Sequence, residues 1–136
     1  MAPGEAPEEL TILLRRYRCR SCEAVVTVAP RAVLHRMLYS GLAVAVALSL
    51  WVAEGLASWR VRGRVSPRSG APSEREHGWR SVGRWARHAD RWWRWLRLLP
   101  GDERVRARQI VQQLAGRAAS AMGSLLELAC EGALRA

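Results

Sequence analysis

Residues 37–53, MLYSGLAVAVALSLWVA, decide the fold: they form a run of 17 residues without a charge. That length meets the lower bound for a membrane-spanning helix. The run also holds Tyr39, Ser40, Gly41 and Ser49, and it stops at Glu54. Small Ala and Val dominate it, and they yield less transfer energy than Leu or Phe. These features favour a helix buried at the centre of a small helical domain, with a span over 37–53 as the alternative. Ser40 has the side chain of an N-cap. Gly55 can close the helix in a left-handed conformation. The expected helix therefore follows Ser40 and runs to about Ala53.

Working upstream, residues 1–9 read as a disordered lead. Residues 10–18, LTILLRRYR, and 23–29, EAVVTVA, are short and rich in branched or aromatic side chains. They predict two strands of a hairpin. Cys19-Arg20-Ser21-Cys22 sits at its tip, and Pro30 ends the second strand. The hairpin unit occupies 10–36.

Downstream, a short second helix is expected from about Leu56 to Arg62. The Gly-, Pro- and Ser-rich segment 63–78 predicts a flexible loop. Between Trp79 and Leu99, Val82, Trp85, Ala89, Trp92, Leu96 and Leu99 recur at spacings of three and four. That is the apolar stripe of a packed helix, ended by Pro100-Gly101. A last helix is expected from Asp102 to about Leu134, with Ile110, Leu114, Ala118, Ala121, Leu125 and Leu128 as its stripe. Asp102 and Glu103 suit its positive end. The two helices would pack as a hairpin. The fold class is thus mainly α: a small helical domain with a short N-terminal β-hairpin and a C-terminal helical hairpin. A helix-turn-helix-like region would cover 37–99, and a C-terminal helix 100–136.

Composition narrows the function. The 136 residues suit one domain. There are 22 Arg and no Lys against 12 acidic residues, a net charge of +10. Such a balance favours polyanions, either nucleic acid or an anionic membrane surface. GC-rich coding accounts for Arg in place of Lys, but not for the excess over Asp and Glu. The three Cys cannot all pair within one chain, so a secreted disulfide scaffold is not indicated. The start, MAPGEAPEEL, is acidic and Pro-rich, unlike a signal peptide, and a cytoplasmic location is expected. No Gly-rich phosphate loop, HExxH pair or nucleophile elbow is present. An enzyme is not expected.

Two constellations remain. In 79–97, WRSVGRWARHADRWWRWLR, Arg80, Arg84, Arg87, Arg91 and Arg94 fall off the apolar stripe. Arg on the open face of a helix can neutralise phosphates while buried Trp fix its position. The plainer reading is a solvated face over an aromatic core. Trp93 and Trp95 flank the stripe and widen the aromatic surface, which needs a cover. The last helix, a second copy forming a homodimer, or lipid headgroups could supply it.

The second constellation is Cys19-x-x-Cys22, which can form one edge of a tetrahedral zinc site. Two further ligands are required. His35 is a candidate, and His77, His88 and Cys130 are the only others. The plainer reading is two ordinary Cys on a turn. Arg15, Arg16, Arg18 and Arg20 crowd the pair, where they would lower its thiol pKa and could touch phosphate.

The stretch 15–40, RRYRCRSCEAVVTVAPRAVLHRMLYS, resembles the front of bacterial transposase-associated proteins. In these a short zinc-ribbon-like unit precedes a helix-turn-helix region. The resemblance rests on Arg16-Tyr17-Arg18-Cys19, Cys22, Val25 to Val28, Pro30-Arg31, Arg36 and Tyr39-Ser40. It continues through Leu42 to Ala53, Gly55, and Ser81 to Trp85. It implies a module that binds duplex DNA, with the 80–94 helix near the major groove. Three features depart from that group. The earlier cysteine pair that completes the metal site is missing, the turn before Ser81 is stretched, and no acidic catalytic triad follows. The resemblance therefore implies a stand-alone or degenerate DNA-binding front end. A truncated, non-functional remnant is a further reading.

Overall fold

A computed structural model describes residues 6–30, 33–34, 37–66, 78–120 and 122–136. The protein is mainly α. Among the described residues, an antiparallel hairpin, β1 (Arg15–Arg18) and β2 (Val25–Val28), precedes five α-helices. These are α1 (Gly41–Val52), α2 (Ser58–Val65), α3 (Arg80–His88), α4 (Glu103–Ala115) and α5 (Leu125–Arg135).

Helix α1 is the hub. The Ser40 hydroxyl accepts the Ala43 N–H at 3.1 Å, the expected N-cap. Gly55 takes a φ of 68°, as a chain leaving a helix here requires. Ten of its twelve residues are buried, on every side. An all-round apolar helix needs cover on every side, and α2, α3, α4 and α5 all pack against it. Twelve residues rise only about 18 Å, short of a hydrocarbon core of about 30 Å. No helix among the described residues is long and apolar enough to cross a membrane.

The hairpin forms within the expected stretches but is shorter, since residues 10–14 are not strand, and it pairs Arg15 with Val28, Tyr17 with Val26, and Arg18 with Val25. All its residues are exposed. The expected second helix appears as α2, shifted to Ser58–Val65, so Gly63, Arg64 and Val65 are helical and not loop. The rest of the expected loop, 67–77, lies outside the described residues, as do 1–5 of the expected lead.

Two long helices expected from the stripes are shorter in the structure. The Trp79–Leu99 helix ends at His88, passes through a 3₁₀ turn at Ala89–Arg91, and continues as irregular chain. The cause is tertiary. Arg106 on α4 donates from Nε to the Ala86 carbonyl and from Nη2 to the Arg87 carbonyl, both at 3.2 Å. It therefore caps the end of α3. Beyond the turn, Gln113 exchanges two hydrogen bonds with the Arg97 backbone, at 2.9 and 2.8 Å. The Gln109 side chain accepts the Leu99 N–H at 2.7 Å. Two side chains one helical turn apart thus replace the helical partners that 97–99 would have used. Trp93 is buried in place of Trp92, which is half-buried, and Leu99 is exposed.

The expected single helix 102–134 is two helices packed on each other. Asp102 caps α4 through the Val105 N–H at 2.8 Å. Gly116 follows its end, and Ser124 opens α5 with a capping box. Ser124 accepts the Glu127 N–H while the Glu127 carboxylate accepts the Ser124 N–H. Ala118 therefore lies in the connection, off the stripe of either helix, and Ala121 lies outside the described residues. The pair is close because Gly132 has no side chain: a Cβ there would meet the backbone of Leu114.

Candidate nucleic-acid interface

Arg80, Arg84, Arg87, Arg91 and Arg94 are all exposed. The opposite side of the same segment buries Val82, Trp85, Ala86, Ala89 and Trp93. The guanidiniums therefore face outward and the buried rings inward, although the helix carrying them is shorter than its stripe suggests. Arg97 joins them as a further exposed cation. Its spacing of three from Arg94 was the available signal.

The Trp rings anchor this segment. Trp79, Trp85 and Tyr39 meet edge to face, with centroids 4.9 to 5.8 Å apart. The Ser58 hydroxyl accepts the Trp79 N–H at 2.9 Å, which ties the start of α3 to the start of α2. Trp95 is half-buried and lies under the Arg117 guanidinium, 4.3 Å from its centroid. The cover that the wide aromatic surface requires comes in good part from the chain itself.

One of the five expected arginines is paired. Arg87 meets Glu103 at 2.9 Å. Gly83 makes this possible, since a Cβ there would collide with the Glu103 carboxylate. No local sequence pattern joins two residues sixteen apart. Arg80, Arg84, Arg91, Arg94 and Arg97 have no carboxylate partner among the described residues.

The hairpin supplies a second basic group. Arg16 and Arg20 are exposed without a carboxylate partner among the described residues, whereas Arg18 pairs with Glu23 at 2.8 Å. At the tip, the Cys19 thiol is pulled down to about 6. The Ser21 hydroxyl, 3.1 Å from Sγ, is the main cause, followed by the backbone N–H of Cys22 and that of Ser21. The lowering expected from crowding arginines is instead the work of hydrogen bonds. Cys130 behaves in the opposite way: burial, then the Glu127 carboxylate, pushes its thiol up to about 11.

Among the described residues no three His, Cys, Asp or Glu side chains come together as a metal site. His35 and His77 lie outside the described residues, and so does Arg36. His88 sits at the end of α3, half-buried. Helix α2 ends at Val65 and α3 begins at Arg80, and residues 67–77 between them lie outside the described residues.

No known protein family, curated protein or solved structure matches the chain.

Proposed function

We propose that the chain is a DNA-binding module, of the transposase-associated kind its front end resembles, that grips duplex DNA by the phosphate backbone. It works in the cytoplasm and performs no chemical step. Arg80, Arg84, Arg91, Arg94 and Arg97 make the main contacts, and Arg16 and Arg20 of the hairpin add others. The observation that carries the reading is the set of five exposed guanidiniums, without carboxylate partners among the described residues, on a segment fixed by buried Trp rings. Like charges gathered on one segment repel one another, and a polyanion relieves that repulsion. Contacts of this kind position a protein without reading sequence.

The test is anisotropy of a labelled duplex at low ionic strength, beside sedimentation with vesicles of anionic lipid. Duplex binding, weakened by Arg84→Ala/Arg91→Ala while circular dichroism stays unchanged, supports the reading. Retention by vesicles with no binding to duplex overturns it in favour of a membrane surface.

A further inference from the structure

We propose that Cys19 and Cys22 form half of a tetrathiolate metal site that a second copy of the chain completes, joining two hairpins around one zinc-class ion. The inference does not depend on the DNA reading.

It begins with the turn. The Cys19 N–H donates to the Ala24 carbonyl at 2.8 Å, and the Glu23 N–H to the Cys19 carbonyl at 3.1 Å. Glu23 takes a φ of 58° to close the reversal. Both sulfurs sit at the exposed end of the hairpin. The Ser21 hydroxyl lies 3.1 Å from Cys19 Sγ. Outer hydrogen bonds of this type orient a ligating thiolate.

A closed zinc-class site takes four ligands. The hairpin offers two, and no third ligand joins them among the described residues. Among the named elements, the two strands make their substantial contacts with each other. Two copies related by a twofold axis supply four thiolates through one self-complementary contact.

Two further observations favour a second copy. First, the hairpin leaves apolar side chains largely exposed. Tyr17, Val26 and Val28 share one face and are each more than half exposed. An isolated two-stranded hairpin is marginal in water, and a second hairpin against this face covers it. Second, a divalent ion with four thiolates carries a net charge of two minus. Arg20 stands between the two cysteines in sequence, and Arg15 and Arg16 lie on the strand that leads to them; none has a carboxylate partner among the described residues. A purely apolar contact would instead bring two basic hairpins together with nothing to offset their repulsion. Each thiol releases its proton to solvent as the ion binds. Cys130 is buried and away from the hairpin, so it does not compete.

The experiment titrates the reduced full-length chain with zinc, and in parallel with cobalt as an absorbing probe, while sedimentation reports mass. The expected result is one ion per two chains, a doubling of mass, and thiolate-to-cobalt charge-transfer absorption. Cys19→Ser and Cys22→Ser each abolish all three, and Cys130→Ala leaves them intact. The cysteines at the tip lie outside the core, so circular dichroism of their variants stays that of the parent. One ion per single chain at monomer mass, no ion bound by the reduced protein, or a dimer that persists in chelator overturns the proposal.

Discussion

Helix α1 and the β1–β2 hairpin are both rich in apolar side chains, yet the chain treats them in opposite ways. Four helices enclose α1 and leave Val44, Ala45, Ala47 and Leu48 without solvent contact. The hairpin stands exposed along its whole length, and Leu13 just before it is at 93% of its full exposure. The first region is complete within one chain. The second has a shape without a core, and its apolar and basic side chains face outward together. Stability therefore resides in the helical body, and the outward surfaces are left for recognition.

The sharpest probe of this contrast is thiol reactivity. Cys19, near 6, is mostly thiolate at neutral pH, whereas Cys130, near 11, remains a thiol. Alkylation at pH 7 should be roughly a thousandfold or more faster at Cys19, as mass mapping of labelled peptides would show. The Cys19 rate should rise through a midpoint near pH 6. Comparable rates at the two positions would mean that the body opens as readily as the hairpin.

Core substitutions come next. Leu48→Ala should cost about 3 kcal/mol in denaturant unfolding, because it leaves a cavity at the centre. Gly132→Ala should cost about 2 kcal/mol by forcing α5 away from Leu114. A smaller effect belongs to the start of α5. Ser124→Ala removes one half of the capping box and should cost about 1 kcal/mol.

The same cap carries a pH dependence. The Ser124 backbone and hydroxyl hold the Glu127 carboxyl below its ordinary value, and Ser120 does so for Glu131. A lowered folded pKa gives stability that is present at neutral pH and lost on acidification. Protection of the α5 amides, taken relative to their intrinsic exchange rates, should therefore fall as pH drops below the usual carboxylate value of about 4.5, and Glu127→Gln should flatten that response. The smallest effect is expected at the hairpin. Val26→Ser should change global stability by no more than about 0.5 kcal/mol. A loss comparable to that of Leu48→Ala would erase the distinction between the two regions.

Local signals made much of this architecture legible. Ser40, the uncharged run and Gly55 mark α1 by capping and burial, and the short branched stretches on either side of Cys19 and Cys22 mark the hairpin. The breaks in the two long helices were harder to read. Arg106, Gln109 and Gln113 end α3 and hold 97–99 from a distant helix, so no neighbouring residue announces the change. The second break did leave a local sign, since Ser124 and Glu127 have the spacing of a capping box, with Gly123 just before. A continuous three-and-four stripe concealed it. At the interface, the outward arginines follow from the stripe of 79–99. The pairing of Arg87 with Glu103 does not, because it depends on how α3 and α4 cross. Neither does the low thiol of Cys19, because it depends on where the Ser21 hydroxyl points.

The central claim is that the outward arginines of 80–97 bind a polyanion, and the salt dependence of duplex binding tests it most directly. The logarithm of affinity should fall linearly with the logarithm of salt concentration. Replacing Arg80, Arg84, Arg91 and Arg94 together with Ala should reduce that slope by about 3 to 4, at about 0.9 for each phosphate no longer neutralised. An unchanged slope in the quadruple variant, or no binding by the parent at low salt, would contradict the claim.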